Sequence, residues 1–140
     1  MGSFSIYKSN INNLIWSIPI ASGVTPKRRQ EIRAICDNSR RIHIFGGNAN
    51  FLEGSNLTYF NDMVDFNIVS SSWSDNNVMV KGRSSYSATL LPSGVIVYIG
   101  GYELNENTQN STSTVMSDIS LIYLYDTNSL TWSNMVCMNS

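Results

Sequence analysis

The sequence predicts an all-β fold built from repeated units of four antiparallel strands. The repeat is visible in two apolar runs that each end in a pair of glycines, Ile42–Gly47 and Ile96–Gly101, with the glycines offset by 54 positions. Each run is followed by an aromatic residue and, seven positions later, by a tryptophan, Trp73 in the first copy and Trp132 in the second. Self-similarity at a nearly fixed period is the signature of a repeat architecture, so the repeat unit decides the fold.

The offset of 54 positions aligns more than the glycines. Without a gap it also pairs Arg29 with Arg83, Ile32 with Tyr86, Ala34 with Ala88 and Cys36 with Leu90. Trp73 and Trp132 are 59 positions apart, so five additional residues lie in the intervening loop. A third, partial copy opens the chain, where Tyr7 precedes Trp16 by nine positions and predicts a turn two residues longer.

Each full copy predicts four short strands. In the first copy they lie near residues 32–36, 42–46 and 63–67 and from residue 72 onward, and in the second they begin near Tyr86, Val95, Ile119 and Thr131. These segments are rich in β-branched and aromatic residues and are separated by Asn, Ser, Asp and Gly, which favours strands over helices. Val95–Ile99 is apolar at successive positions, so we expect neighbouring units to cover both faces of the strand.

An apolar strand ending in Gly-Gly, an aromatic strand and then a tryptophan resembles the kelch family of β-propellers, whose repeat is about 50 residues long. Residues 1–20 resemble the end of a blade, and residues 26–78 and 80–140 resemble kelch repeats. The resemblance implies a kelch-type β-propeller segment, with two four-stranded antiparallel blades plus a partial N-terminal blade. Propellers close with about 4 to 8 blades. We therefore expect an incomplete propeller that needs further blades or self-association to cover its exposed edges.

Within this pattern the residues of the repeat motif have structural explanations. A glycine at a strand end permits a positive φ or the close approach of another backbone, and a tryptophan fills the space between adjacent sheets. The residues concerned are Gly46, Gly47, Trp73, Gly100, Gly101 and Trp132. Asp65–Asn67 and Tyr125–Asn128 supply short polar side chains for turns before the last strand of each copy.

Composition excludes some classes of function. The formal net charge is −1, which gives no general electrostatic reason to bind nucleic acid or an anionic membrane. Every apolar run is far shorter than the roughly 20 residues of a membrane-spanning helix. Cys36 and Cys137 fit neither a metal spacing nor a redox pair, and are predicted to be small buried hydrophobes. The glycosylation triplets at Asn56 and Asn110 are expected by chance in a chain this rich in Asn, Ser and Thr, so they indicate no compartment.

The resemblance implies a non-catalytic protein-interaction or scaffold module, without a cofactor, that binds a protein partner through blade-end loops. The alternative is a fragment of a galactose-oxidase-like propeller enzyme that lacks its catalytic residues. A copper site of that kind resembles two His, a Tyr and a second Tyr linked to Cys, whereas His43 is the single histidine here and is expected to pack within a strand. Ser-His-Asp hydrolysis would need the same residue. Asp62, Asp65 and Asp118 are expected in turns or at strand ends.

Five residues are candidates for contact with a partner. Arg29 and Arg83 precede the first strand of each copy and would hold an acidic peptide or anionic ligand with their planar guanidinium groups; the alternative is ion pairing or solvated surface. The loops 48–61 and 102–117 are expected to lack secondary structure and to vary in length, as binding surfaces do. Their candidate contact residues are Phe51, Tyr59 and Tyr102, for which packing back onto the blade is the alternative.

Overall fold

The computed structural model describes residues 5–49, 57–76, 80–105 and 113–137, and within these ranges it contains strands and turns but no helix. Sheet I consists of β3 (Ala34–Cys36), β4 (Arg41–Phe45), β7 (Met63–Asn67) and β8 (Ser72–Asn76). Sheet II consists of β9 (Ser87–Leu90), β10 (Val95–Ile99), β13 (Leu121–Asp126) and β14 (Thr131–Val136). Three two-stranded sheets pair β1 (Lys8–Asn10) with β2 (Ile15–Ser17), β5 (Asn48–Ala49) with β6 (Thr58–Tyr59), and β11 (Tyr102–Leu104) with β12 (Thr114–Met116).

The predicted all-β fold with two four-stranded antiparallel sheets is confirmed. In each of these sheets the strands pair in the order in which they occur along the chain. The expectation that the two longest loops lack secondary structure is wrong, because β5–β6 and β11–β12 lie in them. The chain leaves the sheet at each glycine pair and returns antiparallel to itself, so its outgoing and returning backbones pair, as Asn48 does with Tyr59.

Sheets I and II pack face to face through one aromatic cluster. Its buried members are Phe45, Met63, Tyr86, Ile96, Tyr98, Tyr123 and Tyr125, with Trp132 packed at the edge. The ring centroids of Phe45 and Trp132 are 4.9 Å apart, and those of Phe45 and Tyr98 are 5.3 Å apart in an edge-to-face arrangement. Offset and edge-to-face geometries are the favourable ones for aromatic pairs, so this contact orients the two sheets as well as burying apolar area.

The opposite face of sheet I packs against the segment that precedes it in the chain. Ile44, Val64, Phe66 and Trp73 form a second buried cluster, against which Ile6 packs. Ser22 pairs in parallel with Ser72 at the start of β8, donating a backbone hydrogen bond to Ser71 (3.0 Å) and accepting one from Trp73 (2.9 Å). Sheet I is therefore covered on both faces, as the apolar residues on successive positions of its strands require.

The turn of the β1–β2 hairpin corrects one expectation. This turn has the same length as the turns of β7–β8 and β13–β14, because Asn10 pairs with Ile15 as Asn67 does with Ser72. In all three hairpins the first turn position carries a side-chain oxygen that accepts a backbone N–H two residues later, and the last turn position has a positive φ. The residue opposite Trp16 is Ser9, and Tyr7 lies two positions further along the same face.

Three smaller expectations also differ from the structure. The first strand of sheet I begins at Ala34 rather than near residue 32, and β13 begins at Leu121 because Ile119 lies in a turn that Asp118 stabilises by accepting the Ser120 N–H at 2.9 Å. Cys36 and Cys137 are both exposed, so the prediction that they are buried is wrong. Cys36 lies on β3, an edge strand with only one neighbour, where its side chain is not covered.

The four motif glycines all have positive φ, but only three of them have a crowded environment. A Cβ atom on Gly46 would lie 2.4 Å from the carbonyl oxygen of Arg83, and one on Gly101 would lie 2.4 Å from that of Ser84. Gly47 would place a Cβ 2.5 Å from the Ile32 side chain. At Gly100 a Cβ would meet nothing within 4 Å, so there the requirement for glycine is conformational alone.

Alanine substitutions at the two equivalent positions separate these effects. Gly46 and Gly100 have φ values of 59° and 67°, so Gly46→Ala and Gly100→Ala share a left-handed strain of about 1–2 kcal/mol. We expect Gly46→Ala to lower the free energy of unfolding by roughly a further 1–3 kcal/mol, because its Cβ also overlaps a backbone oxygen. Urea denaturation of both variants measures the difference, and equal losses of unfolding free energy would contradict the close-approach explanation.

Candidate functional site

Arg29 is buried beside the first glycine pair. Its guanidinium donates two hydrogen bonds to the Asp62 carboxylate, at 2.6 and 2.8 Å, and a third to the Gly46 carbonyl at 2.9 Å. The guanidinium carbon lies 4.3 Å from the centroid of the Phe60 ring. A bidentate ion pair with a stacked ring satisfies the planar geometry of the group. Arg29 thus fixes the loop that follows β4 to the start of its own repeat.

Arg83 occupies the same position in the second repeat with looser contacts. It donates to the Gly100 carbonyl at 3.3 Å, its terminal nitrogen lies 3.8 Å from the Glu103 carboxylate, and its guanidinium stacks 4.3 Å from the Tyr123 ring. Both arginines are buried. The ion-pair alternative is therefore the one seen in the structure for both residues, and an anion bound by Arg29 would have to displace Asp62.

A depression of about 320 Å³ opens where the two repeats meet, at the ends of the strands that carry the glycine pairs. Two of the predicted contact residues, Tyr59 and Tyr102, line it from different repeats. The other lining residues are Gln30, Glu31, Asn48, Leu57, Ser85 and Thr114. Phe51, Asn56 and Asn110 lie outside the described residues. We call this surface the junction depression.

Glu31 supplies the negative charge of the junction depression. Its carboxylate accepts hydrogen bonds from the hydroxyls of Ser85 (2.8 Å) and Ser84 (2.9 Å) and from the Asn48 amide (2.6 Å). The bonds from Ser85 and Ser84 outweigh partial burial and lower the pKa of Glu31 below its usual value. The side chain is exposed and ionised at neutral pH, so it presents a fixed negative charge to any ligand.

The tyrosines complete the depression. Burial and the charge of Glu31 raise the pKa of the Tyr59 hydroxyl, against the opposing effect of its hydrogen bond with Ser84, so the hydroxyl is uncharged at neutral pH. Tyr102 is 42% exposed and offers ring surface to solvent. Neither Glu31 nor Asn48 was identified as a candidate from the sequence, although Glu31 follows the aligned Arg29 by two positions. Glu31 and its counterpart Ser85 share a left-handed φ, of 57° and 54°, which the structure shows and the sequence does not.

His43 is fully buried between two carboxylates at the interface of the sheets. Its Nδ1 lies 2.6 Å from Asp65 and its Nε2 lies 2.9 Å from Asp37, and Tyr125 packs edge-on at 5.6 Å. The expectation of a packed strand histidine matches this environment. Asp65, however, lies in the middle of β7 with its side chain directed to the face that sheet II covers, so its prediction as a turn residue is wrong.

The two carboxylates favour the protonated form of the His43 ring. Burial disfavours the charged ring, but the hydrogen bonds and charges of Asp65 and Asp37 outweigh it and raise the pKa of His43 above 6.5. Burial likewise opposes ionisation of Asp37, yet the Arg41 backbone N–H and the ring lower the pKa of that carboxyl. Both ring nitrogens are occupied by carboxylate oxygens, so His43 has no free nitrogen for a substrate or a metal.

In the part of the chain that the structure describes, no group of three or more His, Cys, Asp or Glu side chains is arranged to hold a metal ion. Nor is any helix long and apolar enough to cross a membrane in that part. The sequence matches no family model and no curated protein.

The single histidine makes the pH dependence of stability a direct test of the buried cluster. Because the folded pKa of His43 is raised above the unfolded value of about 6.5, its stabilisation is complete below that pH and is lost as pH rises through the folded value. We expect the free energy of unfolding to fall above pH 6.5 by up to about 1.4 kcal/mol per pH unit.

The double variant His43→Val with Asp65→Leu is the matched control. It copies the counterparts Val97 and Leu124 of the second repeat, which hold no ionisable group. Denaturation series between pH 6 and 9 should show the decline in the natural chain and not in the variant. A natural chain whose stability does not change over this range would contradict the charged cluster.

Proposed function

We propose that this chain is a segment of a kelch-type β-propeller and acts as a non-catalytic protein-interaction module. Two four-stranded antiparallel sheets in chain order, repeating with the glycine pairs 54 positions apart, support the architecture. The function is carried by one observation, that Tyr59 and Tyr102 from different repeats line one depression with the ionised Glu31. A carboxylate with adjacent aromatic rings suits a lysine or arginine side chain of a partner protein.

The chemistry of these groups supports binding rather than catalysis. Glu31 accepts three hydrogen bonds and its pKa is lowered, which makes it a weak general base at neutral pH. His43, the usual choice for proton transfer, is fully buried and has both ring nitrogens engaged. The depression offers fixed charge, aromatic surface and hydroxyl donors, which are the properties of a contact surface.

Selection of random peptides displayed on phage against the full chain tests this proposal. We expect enrichment of peptides with a central Lys or Arg, because the exposed Glu31 carboxylate gives the depression a negative charge. A synthetic peptide of the selected sequence should bind about 10-fold more weakly to Glu31→Gln, which keeps the size and acceptor of the side chain but removes its charge. Tyr102→Ala should weaken binding to a similar degree by removing the exposed ring. Fluorescence anisotropy measures these affinities.

Val69→Ala is the control, because Val69 is 70% exposed in the turn at the opposite end of sheet I. It should bind the peptide as the natural chain does. Selected peptides that bind equally to Glu31→Gln, Tyr102→Ala and the natural chain would place recognition elsewhere and contradict the proposal. The absence of any enriched peptide would contradict it as well.

A further inference from the structure

One face of sheet II is largely apolar, and its side chains belong to neither hydrophobic cluster of the described residues. Side chains alternate along β10, so that Ile96 and Tyr98 point into the cluster shared with sheet I, while Val97 and Ile99 point away from it. Val97 pairs with Leu124 and therefore shares that outer face with it. We call this surface the open face, and its members are Val97, Ile99, Ile122, Leu124 and Met135.

The open face is the counterpart of the face of sheet I that sheet II covers. The offset of 54 positions relates His43 to Val97 and Phe45 to Ile99. In sheet I, Phe45 is fully buried under Trp132. Ile99 is 37% exposed. The same position of the repeat is thus fully buried in sheet I and partly exposed in sheet II.

The β1–β2 hairpin carries the complementary side chain. Its turn repeats the turn of β13–β14 in length, in the accepting side chain and in the positive φ, so Trp16 is the structural equivalent of Trp132. Ile6 packs against sheet I, and alternation places Tyr7 and Ser9, with the paired Trp16, on the opposite side. Trp16 is 68% exposed and Tyr7 is 61% exposed. We call the surface of Tyr7, Ser9 and Trp16 the hairpin face.

We propose that copies of this chain associate head to tail, with the hairpin face of one copy packed on the open face of the next. The contact between sheets I and II is the template: Trp132 packs on Phe45, and in the same way Trp16 packs on Ile99 of the neighbouring copy. None of the named members of either face is charged, so contact between them desolvates no ion. Asp126, which pairs with Val95 on the same side of sheet II, lies at the end of the sheet beside the β13–β14 turn. The contact joins two different surfaces, so it is heterologous and extends to a ring or a filament according to its rotation.

The two faces can be inactivated separately in the full chain. Trp16→Glu removes the hairpin face and leaves the open face intact, and Ile99→Glu does the reverse. Sedimentation velocity over a range of concentrations should show association of the natural chain and at least about 30-fold weaker association of either variant alone, as expected for loss of a buried aromatic anchor. An equimolar mixture of the two variants should form a 1:1 dimer and grow no further, because one intact pair of faces remains.

Ile20→Glu is the control, since Ile20 is 98% exposed and lies outside both faces, and it should associate as the natural chain does. Met135→Glu, on the open face and 49% exposed, replaces Ile99→Glu if that variant fails to fold. A monomeric natural chain overturns the proposal, as does a natural degree of association in the folded variants. Folded monomeric variants that form no dimer on mixing also overturn it, because they indicate a contact between like surfaces. Peptide binding at the junction depression does not enter any of these outcomes.

Discussion

The two repeats are joined by a backbone contact that only glycine permits. The Gly47 N–H donates to the Arg83 carbonyl at 2.8 Å, and Gly46 lies so close to the same oxygen that a Cβ atom could not be accommodated. Next to it the Ser85 N–H donates to the Glu31 carbonyl at 2.9 Å, and the Tyr86 hydroxyl donates to the Phe45 carbonyl. These bonds fix where sheet II starts relative to sheet I. The aromatic cluster between the sheets depends on that placement, because close-packed rings tolerate little displacement.

The junction depression is a consequence of this same contact. Ser84 and Ser85, which donate to the Glu31 carboxylate, directly follow Arg83, whose carbonyl accepts from Gly47. Tyr59 reaches the depression because β6 pairs with β5, which begins immediately after the glycine pair. The charge, the hydroxyls and the two rings are therefore assembled from both repeats at once. A single repeat would hold Glu31 without the hydroxyl donors that lower its pKa, so the candidate site belongs to the pair.

The sequence predicts those features whose causes are local and repeated. Gly46 and Gly100 follow apolar strands, and Asn67 and Asp126 have the short polar side chains that turns prefer, so pattern alone identifies the corners and hairpins. The predicted length of the β1–β2 turn was wrong because it assumed that Tyr7 lies opposite Trp16. Ser9 lies opposite Trp16, and Tyr7 lies two positions away on the same face. The cluster of His43 has no such signal: Asp65 is 22 positions away on the neighbouring strand, and its counterpart in the second repeat is Leu124. Contacts that are neither local nor repeated become visible only when the strands are placed in register.

The contact between sheets I and II within one chain differs from the contact proposed between the open face and the hairpin face of two copies. Between sheets I and II, aromatic packing is supplemented by the backbone bonds at the glycine pair. In the described part of the chain, the Gly101 N–H has no bond corresponding to that of Gly47, and the hairpin of β1 and β2 corresponds only to the last two strands of a sheet. A head-to-tail contact therefore consists of side-chain packing without the backbone bonds of the junction. Because that contact joins separate molecules through apolar packing, its population depends on protein concentration, whereas the junction within one chain does not depend on it.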